Sequence, residues 1–307
     1  MEFDTFIDAA WSRHADDPGG TAQSLADGAA LVTTEAELVA LIVLAQHVHG
    51  EHLGRWQAGL ECLEHLAASA LFDPAGASGQ ALARCTASLL LAAGNAGAAD
   101  ALGLSDRIRA TALAAACLAQ NEPAPDIGRA AALWQAALAV AAGSGLPDGD
   151  AMHRTLAATG NNLASELEQK PLRTAAEREL MLAAANAARN HWAVAGNWLE
   201  VERAEYRLAS SWLAAGDAQC ARHHAQACLD LVDANAGPAL ERFFGWEAMA
   251  RAQQLAGNAA ARATALEAAR NAFAQLGNDD QAWCSETLEA LIPALDPALV
   301  SSKRVAS

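Results

Sequence analysis

A chain of 307 residues with 36 acidic and 20 basic side chains carries a net charge of -16, which repels phosphate backbones and anionic lipid surfaces and argues against nucleic acid and membranes as partners. Hydrophobic residues make up 53% of it but aromatics only 5%, with alanine the commonest residue, a balance that favours close-packed helices over sheet and fits no fibrous, membrane or disulfide-rich class. The six cysteines, at 62, 85, 117, 220, 228 and 284, include no C-x-x-C pair and read as reduced packing residues.

The opening stretch, MEFDTFIDAAWSRHADD, lacks a basic segment followed by an apolar one. No later apolar run reaches membrane-spanning length without a charge or a glycine, so a cytoplasmic setting is expected. QHVHGEHLG, residues 46–54, gathers His47, His49, Glu51 and His52. On an unbroken helix His49 and His52 share a face while His47 points elsewhere, so only two imidazoles converge unless Gly50 breaks the helix. The spacing also departs from the H-E-x-x-H zinc arrangement, whose histidines stand four apart with a glutamate between them. No metal ligand, catalytic residue or cofactor is therefore assigned; a metal-binding enzyme or small-molecule sensor using His47–His52 is the alternative function.

Beyond the histidines, four segments rich in Gly, Pro and Asp punctuate the chain: DPAGASG (73–79), GNAGAADALG (94–103), NEPAPD (121–126) and GSGLPDGD (143–150). They read as turns between helices, the last being the most linker-like. No G-x-S-x-G, phosphate-binding loop or strand for a dinucleotide fold is present. Past residue 150 a period emerges. Gly216-Asp217 and Gly257-Asn258 stand 41 residues apart, and sliding the chain by that offset pairs Leu208 with Met249, Ala209 with Ala250 and Cys228 with Ala269. Each unit predicts an αα-hairpin: a left-handed glycine ends one helix of about 17 residues, about 25 Å long, and an Asp or Asn caps the next. Cys220, His224 and Cys228 fall on one helix face, but eight residues rise about 12 Å, too far for two thiolates on one zinc ion at ~2.3 Å each. Stacked hairpins account for them better.

Leu208-Ala209, Trp212, Gly216-Asp217, Ala221 and Cys228-Leu229 resemble the tetratricopeptide repeats. Weaker copies occur at 53–66, through Gly54, Trp56 and Gly59, and at 131–140, through Trp134, Ala137 and Leu138. Arg262 departs from the pattern, falling where a small residue is expected, and the period exceeds the family's usual ~34 residues. The resemblance implies an all-α, right-handed superhelix of antiparallel helix pairs. It would form a single α-solenoid over 1–293, irregular in 1–150 and more regular over 151–293, with a flexible tail at 294–307. The Trp residues, Trp192, Trp198, Trp212, Trp246 and Trp283 among them, are expected mostly to fill gaps between helices.

The same period aligns three polar sets at i, i+3, i+7: Asn162, Ser165 and Gln169; Arg203, Tyr206 and Ser210; Phe244, Glu247 and Arg251. Each set occupies one helix face, and Ala204, Leu208 and Trp212 form the apolar face opposite. In a tetratricopeptide-like stack the first helices line the concave surface, so the resemblance implies a groove that holds a protein or peptide segment, a basic one suiting the charge, without catalysis. A homodimer is the other assembly that the sequence allows.

Overall fold

A computed structural model describes residues 2–120 and 124–292. The expected tail, 294–307, lies outside the described residues, as do positions 121–123 of the NEPAPD break.

Every regular element among the described residues is helical, as the composition requires. Helices α1 (Phe3–Arg13), α2 (Pro18–Leu31) and α3 (Glu35–His47) lead into a π-turn (Val48–His52). After it come α4 (Trp56–Ala67), α5 (Ala77–Ala92), α6 (Leu104–Gln120), α7 (Ile127–Ser144), α8 (Ala151–Gln169) and α9 (Ala175–Ala195). The chain continues as α10 (Trp198–Ala215), α11 (Ala218–Ala234), α12 (Ala239–Leu255), α13 (Ala259–Phe273) and α14 (Asn278–Leu291). The 73–79, 94–103 and 143–150 segments fall between helices or at their ends. No helix among the described residues is long and apolar enough to cross a membrane. Residues up to Ala195 and those from Gly196 onward form two compact units, and the 143–150 segment is a turn within the first.

The periodic turns are built as their residues dictate. Gly216 (φ 82°) and Gly257 (φ 69°) both adopt the left-handed conformation that ends a helix without strain only when Cβ is absent. The residue after each glycine then starts the next helix: Asp217 accepts from the Gln219 and Cys220 amides, and Asn258 from the Ala261 amide. Thr34 and Asn197 complete capping boxes with Glu37 and Glu200.

In the first unit α6 packs against α5, α7 and α8, and α7 against α9. Ala110, Ala112, Ala114, Ala115 and Ala119 of α6 are fully buried; a helix surrounded on several sides needs side chains this short. Trp134 of α7, also fully buried, packs against Gly160 of α8, where a Cβ would come within 3.2 Å of its ring. Leu38, Leu41, Ile42 and Leu44 of α3 are at most 1% exposed, and each such burial contributes about 1.5–3 kcal/mol. In the second unit α10 packs on α11 and α12, and α12 on α13 and α14. Ala204 and Leu208 are buried and Trp212 half-buried, so the apolar face of α10 is the one the spacing predicts. Arg262, the departure from the repeat pattern, donates to the Leu291 carbonyl at 2.6 Å and so closes the end of α14. Trp283 corrects an expectation: it fills no gap, being 66% exposed with one edge against Phe244.

Candidate functional site

The 46–54 segment folds otherwise than its straight-helix reading, and the difference builds a site. Val48–His52 is a π-turn, closed by the Leu53 amide on the Val48 carbonyl at 3.0 Å. A π-turn brings residues five apart over one another rather than three or four apart. His47 and His52 therefore meet, with their Nε2 atoms 3.1 Å apart. His49, expected to pair with His52, instead turns inward against Gly59 and is buried. Gly50 does not break the helix; it sits in the wide turn, where a Cβ would come within 2.8 Å of Cys117 Sγ.

A third imidazole comes from an element that the local spacing could not reveal. His14 follows α1, its ring centroid 4.9 Å from those of both His47 and His52. One ring nitrogen from each of the three lies within 4.8 Å of the others. Glu51 Oε1 accepts from His47 Nδ1 at 3.0 Å, and the Trp11 carbonyl takes His14 Nδ1. Burial opposes the His47 cation, but Glu51 and Glu166 outweigh it and raise that pKa above the ordinary imidazole value. For His52 burial dominates, assisted by His47 and His14, and its pKa falls to about 4. His47 is thus the more basic of the two imidazoles and His52 the less basic.

Two adjoining cavities in the first unit, of about 520 Å³ and about 450 Å³, share Trp11, His47, Glu51, Leu113 and Thr159 in their walls. The smaller holds His14 and His52 and is completed by Asn162, Ser165 and Glu166 from α8. Two of the residues singled out by the 41-residue period, Asn162 and Ser165, therefore do line a cleft; Gln169 is exposed and lies outside both linings. The larger is lined by Arg84 of α5, Arg109 of α6 and Arg154 of α8 beside the apolar Trp11, Val43, Leu113 and Ala158. Arg84 binds Asp106 at 2.8 Å, and Arg109 donates to the Thr155 hydroxyl at 2.8 Å. Burial, and then the charge of Arg84, lower the Arg109 pKa. Cys85 lines the same cavity, but burial pushes its thiol up to about 11, which keeps it protonated and unreactive at neutral pH.

In the second unit residues of two aligned polar sets meet each other. Tyr206 and Glu247, equivalent positions one period apart, touch: the Tyr206 hydroxyl donates to Glu247 Oε2 at 3.1 Å, and Arg251 reaches Glu247 Oε1 at 3.2 Å. Ser210 also hydrogen bonds Tyr206. Burial raises the Tyr206 and Glu247 pKa values. Arg203, its side chain 60% exposed, pairs with the buried Glu241 at 2.8 Å. The set thus satisfies much of its hydrogen bonding internally, with Arg203 and Arg251 as its exposed members. Sequence reasoning missed three buried carboxylates, Glu202, Glu205 and Glu241, and placed Glu247 in a groove where the structure buries it. Glu205 holds His224 Nδ1 at 2.7 Å, and Cys228 is buried with its thiol on the Glu202 carbonyl. All six cysteines are free thiols.

No protein-family model, curated protein or solved structure matches the chain.

Proposed function

We propose that the chain is a binding protein built from tetratricopeptide-like, right-handed hairpins, and that the cleft of its first unit takes a small organic anion without turning it over. The observation that carries this reading is the meeting of Arg84, Arg109 and Arg154 on one cavity with apolar walls. In a protein of net charge -16 this wall concentrates positive charge. Arg84 pairs with Asp106, Arg109 donates to the Thr155 hydroxyl, and the Arg154 guanidinium lies over the Trp192 ring, 4.9 Å from its centroid. Guanidinium groups suit a carboxylate head, and Trp11, Val43 and Leu113 suit an apolar body; about 520 Å³ accommodates both. Six free thiols support a reducing, cytoplasmic setting.

Melting temperatures measured with octanoate, octanol and inorganic phosphate test the reading. Octanoate alone should raise the melting temperature, by several degrees at saturation. An equal rise with octanol, or none with octanoate, would refute it.

A second reading, capture of a protein or peptide segment, rests on the second unit, where exposed Arg203 and Arg251 lie on the polar faces of α10 and α12. A cavity of about 740 Å³ lined by Arg251, Glu247, Leu255 and Thr287 offers space beside Arg251. Loss of partner capture on changing both arginines to Ala, with helicity unchanged, would favour it.

A further inference from the structure

We propose that His14, His47 and His52 form a binding site for one divalent transition-metal ion of the zinc class, leaving one coordination position open to the cleft. The claim does not depend on what the arginine-lined cavity takes.

Geometry carries the argument. Three imidazoles from α1's end, α3's end and the π-turn present ring nitrogens within 4.8 Å of one another. Around a tetrahedral zinc ion at ~2.0–2.1 Å the ligand nitrogens lie about 3.4 Å apart. The His47–His52 pair, at 3.1 Å, is already near that spacing, and His14 needs only a small approach. The far edges of two rings are held in the manner that metal-bound histidines require: His47 Nδ1 by the Glu51 carboxylate and His14 Nδ1 by the Trp11 carbonyl. The first leaves His47 Nε2 facing His52 Nε2, and one His14 ring nitrogen lies within 4.8 Å of a nitrogen of each.

Charge agrees with geometry. A dication among three neutral imidazoles needs nearby negative charge: the Glu51 carboxylate stands 3.0 Å from His47 Nδ1, and Glu166 lines the same cavity as the three histidines. Imidazole donors suit zinc, copper, nickel or cobalt and disfavour magnesium or calcium. The π-turn itself is informative. In an α-helical continuation His47 and His52 would point apart, so the turn is what creates the pair. With three protein ligands the fourth position falls to water or to an anionic ligand in the cleft.

The full-length protein, stripped with chelator and desalted, is titrated with zinc chloride in competition with a chromophoric chelator, and separately with cobalt(II), whose visible bands report tetrahedral nitrogen ligation. One equivalent should bind. His14→Ala, His47→Ala and His52→Ala should each weaken binding by ~100-fold or more, and Glu51→Gln by ~10-fold; His65→Ala, on the exposed side of α4, should change nothing. X-ray absorption on the zinc-loaded wild-type protein guards against variants that misfold: it should count three imidazoles at ~2.0 Å. No stoichiometric binding, affinity indifferent to the three histidines, or fewer than three imidazoles would each overturn the proposal.

Discussion

Glu202 gives the sharpest energetic test of the second unit. It lies on α10 at 1% exposure, its Oε1 has no hydrogen-bond partner among the described residues, and Glu241 stands beside it. Burial first, and then the Glu241 charge, raise its pKa from the ordinary 4.5 to about 8. Between those two values the folded protein keeps a proton that the unfolded chain has released. Stability therefore falls as pH rises through this window and levels off above about 8. The two midpoints bound the loss at roughly 5 kcal/mol, at about 1.4 kcal/mol per pH unit. Glu202→Gln keeps the shape and removes the ionisation. Urea unfolding followed by circular dichroism should show the variant within ~1 kcal/mol of the wild type near pH 5 and more stable by ~2–5 kcal/mol near pH 8. Parallel stability curves, or a variant less stable than the wild type at the higher pH, would refute the reasoning.

Two further substitutions probe the backbone. Gly216 has a φ of 82° and open space where a Cβ would stand, so Gly216→Ala should cost ~1–2 kcal/mol of unfolding free energy through conformation alone, with Gly216→Asn costing less; equal costs would show that something other than the left-handed turn is at stake. At Gly50 the Cβ would meet Cys117 Sγ at 2.8 Å and Leu89 Cδ2 at 2.9 Å, so Gly50→Ala should destabilise by ~1–3 kcal/mol in urea, part of it recovered on adding Cys117→Ala; no recovery would mean that the crowding lies elsewhere.

Much of the architecture can be read from the chain because it depends on local chemistry. Gly216-Asp217 and Gly257-Asn258 perform the same two tasks one period apart, and the Pro- and Gly-rich breaks fall where helices end. Register went further, placing Tyr206 and Glu247 at equivalent positions that turn out to touch, and marking Asn162 and Ser165, which line the cleft. The histidine site was only half visible. A spacing of five is meaningless on an α-helix and becomes a contact only through the π-turn, which depends on how Gly50 packs against Cys117 and Leu89 from other helices. His14 lies 33 residues before His47, so only tertiary packing joins them. Arg84, Arg109 and Arg154 likewise come from three helices. Glu202 and Glu241 read from composition as solvated charges, and their burial follows from the packing of α10 on α12.

The most direct test of the central claim is a calorimetric titration of octanoate into the wild type, Arg109→Gln and Arg251→Gln. The wild type should bind one equivalent. Loss of a charge-assisted hydrogen bond in Arg109→Gln should weaken binding by ~10–100-fold, while Arg251→Gln, in the second unit, should match the wild type. Binding unaffected by Arg109→Gln, or lost on Arg251→Gln, would contradict the assignment of the ligand site to the first unit's cleft.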